Sequence, residues 1–128
     1  MKKIIFIALA VVLLLTSCSS IKESKVEYIK ISAEQAKINM DNEKDIIILD
    51  VRTQEEYDTG HIKNALLIPD YDIGKIASEK LPDKYAKILV YCRSGRRSEI
   101  AAKKLIEMGY KKVVDFGGII DWKYETVK

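Results

Sequence analysis

Apolar residues fall along this chain in three rhythms, and each predicts a different kind of element. The first is an unbroken run from Ile4 to Leu15 behind the basic pair Lys2 and Lys3. Such a run is too short to span a bilayer, which takes about 20 apolar residues, but it suits the core of a secretory signal. The second rhythm is the short apolar block: "DIIILDV" (45–51), "ALLIP" (65–69), "KILVYC" (87–92) and "KVVDF" (112–116). Blocks of this length, rich in β-branched residues, predict strands, the longer ones buried on both faces. The third is helical spacing. From Ser98 to Met108 the residues Ala101, Ala102, Leu105, Ile106 and Met108 share a broad face, Lys103, Lys104 and Glu107 lie opposite, and Gly109 is placed as the C-terminal cap. Capping boxes at Ser32-Ala-Glu-Gln35 and Thr53-Gln-Glu-Glu56 predict two more short helices, the first turning Ala36 and Met40 inward, the second stopping at Gly60. Residues 72–80 predict a weaker helix closed by Pro82, and residues 119–125 a closing helix after a turn at Gly117-Gly118. Strands alternating with helices give an α/β fold with a mainly parallel central sheet flanked by helices.

The same pattern divides the 128 residues. The apolar run closes on Leu15-Thr16-Ser17-Cys18, which resembles the lipobox of bacterial lipoprotein signals. That resemblance implies a signal peptide over 1–17, removed by cleavage, with lipid on Cys18 anchoring the protein to a membrane outside the cytoplasm, on the periplasmic face or cell surface. Ser19 rather than aspartate after Cys18 resembles the pattern of outer-membrane sorting. A plain signal peptide cleaved elsewhere, with Cys18 incidental, is the alternative. Residues 18–25 are a polar tether, and residues 26–128 form one domain large enough for a single core. Without residues 1–17 the chain keeps 20 basic residues against 19 acidic ones. A balance that even, with charges scattered, is no nucleic-acid footprint.

Candidate chemistry gathers in one place. The chain has four arginines, and three of them, Arg93, Arg96 and Arg97, fall within five residues of Cys92 in "YCRSGRRS" (91–98). With Cys18 lipidated, Cys92 has no internal disulfide partner. One cysteine and one histidine, His61, fall short of a structural zinc site, so no metal or cofactor is expected. Cys92 ends a strand and a helix follows, the place where ligands meet open α/β sheets. A loop curling there, eased by Gly95, points backbone N–H groups of residues 93–98 at the sulfur with a helix N-terminus behind them. Such a cradle favours the thiolate over the thiol and leaves the sulfur nucleophilic and open to solvent. The arginines add forked donors for an oxyanion. Two further readings remain: a small core cysteine among solubilising arginines, or an anion site without chemistry.

Three stretches, "DVRTQEEYDTGHIKNALLIP" (50–69), "CRSGRRSEIAAKKLIEMGY" (92–110) and "FGGIIDW" (116–122), resemble the rhodanese domain in order and spacing. The resemblance covers about Ile31 to Trp122. It implies a sulfurtransferase in which Cys92 is the nucleophile and persulfide carrier. Arg93, Ser94, Gly95, Arg96, Arg97 and Ser98 would meet the substrate, their main-chain amides stabilising the charge on Cys92, Arg97 orienting the donor anion, and Arg93 and Arg96 binding its sulfonate end or guiding anions inward. The partners implied are a small sulfur-containing anion such as thiosulfate and a thiophilic acceptor, whether cyanide, a small thiol or a protein thiol. Asp50, Arg52, Glu56 and His61 read as structural or supporting residues, with Arg52 placed to pair with Glu56. Phosphatases and arsenate reductases of the same fold resemble Cys-x5-Arg, whereas this loop is Cys92-x4-Arg97. The same residues would also suit a non-enzymatic binding module, or an envelope sulfur carrier or redox partner.

Overall fold

Five parallel strands form one sheet in the order β1-β5-β4-β2-β3. They are β1 (Ile29–Lys30), β2 (Ile47–Asp50), β3 (Leu66–Leu67), β4 (Lys87–Cys92) and β5 (Lys112–Gly118). Helices α1 (Ala33–Asn42), α2 (Gln54–Thr59), α3 (Ile73–Lys80) and α4 (Arg96–Glu107) lie between them. This architecture is that of a computed structural model, which describes Ser20 and residues 24–128. The expected signal (1–17), Cys18 and much of the tether lie outside the described residues.

The strand period of two sorts side chains into two cores. Ile88, Val90 and Cys92 of β4 face α3 and α4, where they meet Leu49, Val113, Ile73, Ala77, Ala101, Ala102 and Leu105. Leu89 and Tyr91 face the other way, toward Ala36 of α1, Ile62, Ala65 and Phe116. The middle of β4 is fully buried on both faces. Each such aliphatic side chain contributes roughly 1.5–3 kcal/mol, which makes β4 the central strand.

Local signals set most helix ends. The Ser32 side chain accepts from Gln35 N at 3.1 Å, but the Gln35 side chain turns to Asn39, so only half of the first capping box forms. The Thr53–Glu56 box forms completely. At the end of α4, Gly109 takes φ 97°, its N–H bonds Ile106 O at 3.0 Å, and Tyr110 N–H bonds Leu105 O at 3.1 Å. This is a full Schellman stop, with glycine in the left-handed region.

Four expectations change. Strand β1, which no apolar block announced, adds two residues along β5. Helix α4 starts at Arg96 rather than Ser98, with Gly95 as its N-cap at φ 110°. Gly117-Gly118 is no separate turn but the end of β5, where Gly118 lies level with Cys92. The register slips there, since two β4 residues (Val90, Cys92) span three steps of β5 (Asp115 to Gly118), a bulge that turns the strand end beside the cysteine. Lastly, residues 119–125 form one 3-10 turn, Ile119–Asp121, instead of a helix. The chain then bends at Tyr124 and reaches Val127, which exchanges two 2.8 Å backbone bonds with His61. Residues 123–128 are exposed, so a helix there would gain little burial, while the bridge satisfies backbone groups directly.

Candidate active site

Cys92 stands at the carboxyl end of the central strand, next to the start of α4. Its thiol is free, and the Gly95 N–H donates to Sγ at 3.0 Å. The left-handed Gly95 aims that amide back at the sulfur, a conformation that residues with a Cβ resist. Ser98 Oγ lies 3.5 Å from Sγ and donates to the carbonyls of Gly95 (3.0 Å) and Gly117 (3.3 Å), sharing its one proton between them. Of the expected ring of amides, then, one bonds the sulfur directly, and a buried hydroxyl closes the other side.

The loop packs against β5 with no room to spare. A Cβ on Gly118 would lie 2.1 Å from Arg93 O, so only glycine lets the strand pass. Arg93 O also accepts from Ile120 N at 3.2 Å. Beneath the bulge, buried Asp115 accepts from Gly117 N at 2.8 Å and from the Tyr28 hydroxyl. Burial and the facing Asp115 carboxylate push the Tyr28 phenol well above its ordinary range. Neither Asp115 nor Tyr28 was singled out from sequence. The available signal was an aspartate inside an apolar strand block, the pattern Asp50 also shows.

Two expectations about the site are corrected. Cys92 is 1 % exposed and belongs to the core on the α3–α4 side, rather than open to solvent. The reason is the tight turn at 93–95: it brings the Gly95 amide onto the sulfur and covers it in the same movement. Arg93, Ser94 and Arg96 remain exposed around this cover.

Arg97 reaches across to α2, where its two terminal nitrogens bond the two carboxylate oxygens of Glu56 at 2.7 and 2.9 Å. The predicted Arg52–Glu56 pair is therefore wrong. Glu56 belongs to Arg97, while Arg52 binds buried Asp50 in a forked pair (Nε–Oδ1 3.0 Å, Nη2–Oδ2 2.8 Å) and Gly60 O at 2.7 Å. Chain distance decides this: Arg52 is two residues from Asp50 along the strand end and needs no helix to meet it. Hydrogen bonds from Arg97, opposed by partial burial, hold the Glu56 carboxyl at about 2. In return Glu56, with smaller contributions from Cys92 and Asp70, holds the Arg97 guanidinium above its usual range.

The remaining supporting residues sit away from the sulfur. Asp50, Arg52 and Tyr91 form a buried group on the opposite sheet face, with the Arg52 guanidinium 5.6 Å from the Tyr91 ring and Tyr91 Oη accepting from Ile62 N. His61 stacks on Tyr57 (3.6 Å, 7°) with Nδ1 2.9 Å from Tyr57 O, a packing arrangement remote from Cys92 in contact terms. Among the described residues no cluster of three His, Cys, Asp or Glu side chains could hold a metal ion. A cavity of about 620 Å³ lies on that opposite face, lined by Met40, Ile48, Ile62 and Trp122, and does not include Cys92. A smaller one of about 340 Å³ borders the cysteine loop at Ser94 and Gly117.

The comparisons with known proteins agree with this fold. A family model described as "Rhodanese-like domain" matches residues 32–125. YrkF of Bacillus subtilis (strain 168), provisionally named a sulfur carrier protein, is 39% identical over 98 residues, covering 76% of this chain but only 52% of that protein. Thiosulfate sulfurtransferase PspE of Escherichia coli (strain K12) is 38% identical over 80 residues, covering 62% of this chain and 77% of that protein. Among solved structures, a rhodanese with anions from E. coli matches with a TM-score of 0.61 at 36% identity, covering 65% of this chain and 98% of that one. Fold, loop and sequence thus converge, and the chain belongs to the rhodanese-like domain family.

Proposed function

We propose that this chain moves a sulfane sulfur from a small anionic donor, with thiosulfate as the test case, to a thiophilic acceptor through a persulfide on Cys92. The likeness to PspE, a thiosulfate sulfurtransferase by name, supports this reading. The observation that carries the assignment to Cys92 is the Gly95 amide aimed at Sγ from the N-cap of α4. An N–H donor and a helix N-terminus together support negative charge at that point.

The thiolate attacks the outer sulfur of thiosulfate. The bond between outer and sulfonate sulfurs breaks, its electron pair leaves with sulfite, and Cys92 holds the outer sulfur as a persulfide. Cyanide or an acceptor thiolate then attacks that terminal sulfur, and the Cys92–sulfur bond returns its pair to the cysteine. No proton has to be removed during either step once the thiolate exists, so His61 has no part to play. Because Cys92 is covered, the donor meets the sulfur only when the turn at 93–95, exposed at Arg93 and Ser94 and buried at Gly95, shifts outward. Phosphatase chemistry is disfavoured, since the Cys92-x4-Arg97 loop ends in an arginine already clamped by Glu56.

A chain of residues 26–128 should form sulfite from thiosulfate when cyanide is supplied, and its mass should rise by one sulfur that added thiol removes. Cys92→Ser should abolish both while keeping the wild-type far-ultraviolet spectrum. Full turnover in the serine variant would take Cys92 out of the mechanism. A sulfur-carrier role with a protein thiol as acceptor is the second reading, favoured by the likeness to YrkF. We extend the proposal to export: residues 1–17 act as a signal and Cys18 carries lipid, supported by the apolar run and Leu15-Thr16-Ser17-Cys18.

A further inference from the structure

With Arg97 committed to Glu56, the cations the cysteine loop itself offers a donor anion are the exposed Arg93 and Arg96, and any further cation has to come from another element. An unanticipated lysine supplies one from the opposite edge. Lys30 lies on β1, the edge strand, level with Asp115 of β5. Its side chain runs across the two left-handed glycines of the site. Its Cε is 3.9 Å from where a Cβ on Gly117 would stand, and its Nζ is 3.9 Å from the corresponding point on Gly95. Gly95 is the residue whose N–H bonds Cys92 Sγ at 3.0 Å. Adding the short N–Cα–Cβ leg places the Lys30 ammonium within about 10 Å of the sulfur, near the physiological screening length of roughly 8 Å.

Several facts leave that charge available. The Lys30 side chain makes no hydrogen bond or ion pair among the described residues. The nearest strand partner, Asp115, is occupied by Tyr28 and the Gly117 amide. Lys30 also lines the cavity of about 340 Å³ that opens beside Ser94 and Gly117, at the N-terminus of α1. Glu34, Asp121 and Lys123 share that cavity, Lys123 standing 4.0 Å from Glu34, and Lys30 is the lysine whose Nζ lies against Gly95 of the loop.

The geometry points to Lys30 as the anion-receiving cation of the Cys92 site, holding the sulfonate end of the donor in the cavity between β1 and the cysteine loop. Only the identity of the anion rests on the sulfur-transfer reading. Lys30 is a positioning residue: it raises the local concentration of anion and fixes its orientation. Removing it should raise the KM for thiosulfate roughly three- to tenfold while kcat stays within about twofold, the pattern of a lost binding contact.

A second measurement is independent of sulfur transfer. Cys92 is alkylated in the full domain with iodoacetate, an anion, and with iodoacetamide, its neutral counterpart, and the ratio of the two rates is compared between variants. Lys30→Ala should lower that ratio about threefold or more, Lys30→Arg should restore it, and Lys112→Ala, at the far end of β5, should leave it unmoved. A ratio unchanged in Lys30→Ala, or a wild-type thiol too slow toward both reagents to give one, overturns the proposal. A lowered ratio in a chain that cannot use thiosulfate would uphold Lys30 as the anion-receiving cation and overturn the donor.

Discussion

Glu56 shows how a single residue changes meaning between sequence and structure. In the sequence it completes a capping box with Thr53, and it does cap α2. Its carboxylate also reaches Arg97, forty-one positions away, and fixes the arginine that the loop pattern assigns to the donor. This pair has a pH signature. The Glu56 carboxyl falls from an ordinary 4.5 to about 2, so its stabilisation is fully present above the unfolded value and is lost as pH falls toward the folded one. The difference in urea midpoint between wild type and Glu56→Gln should therefore be constant near neutrality and shrink between about pH 5 and pH 2. A difference that grows in acid would mean the pair does not hold Glu56 ionised.

The elements around the cysteine work through close backbone approach. Strand β5 carries a bulge that brings Gly118 level with Cys92, and α4 begins on Gly95. These glycines are not equivalent. At Gly118, φ is −118°, which any residue adopts, and the obstacle is the carbonyl of Arg93, 2.1 Å from the added Cβ. At Gly109 the opposite holds: φ is 97°, and no atom lies within 4 Å of the added Cβ. Gly109→Ala should cost about 1 kcal/mol of stability, the price of a left-handed conformation, and leave sulfur transfer unchanged. Gly118→Ala should cost more than that and also lower activity, since the Cys92 loop itself has to move. Thermal unfolding and thiosulfate assays on the two variants separate conformational strain from steric displacement.

For the whole molecule, two cores on either side of one parallel sheet divide the labour. The α3–α4 side holds Cys92 with Ser98 and Asp115, while the α1 side holds the Asp50–Arg52–Tyr91 group. Tyr28 ties the amino-terminal end of the domain to the site through Asp115. Any anchor carried by Cys18 would then join the domain only a few residues before a side chain that supports the cysteine loop. Full-length protein made in bacteria should sediment with membranes, and Cys18→Ala should release or mislocalise it. Unaltered fractionation of that variant would count against lipid anchoring. Most of the fold was legible because burial and hydrogen bonding act locally on pattern: β4 and the complete capping box of α2 were read to the residue. The closing helix and β1 were not, because neither is decided by its own residues. Ile29 and Lys30 become a strand only by borrowing the edge of β5, and the chain end forgoes a helix where His61 offers Val127 its backbone.

By itself the sequence determined the alternating α/β plan, the position of Cys92 at a strand end and the glycine that bends the chain after it. Those depend on residue period, side-chain branching and backbone freedom, all of which act over a few positions. Tertiary structure alone decided which charges meet and what the sulfur faces. It gave Arg97 to Glu56 and Arg52 to Asp50, covered Cys92 with its own loop, and brought Lys30 and Asp115 to the site from other strands. Ion pairs and hydrogen bonds are settled by distances of a few ångströms between segments far apart in the chain, and no local pattern encodes those distances.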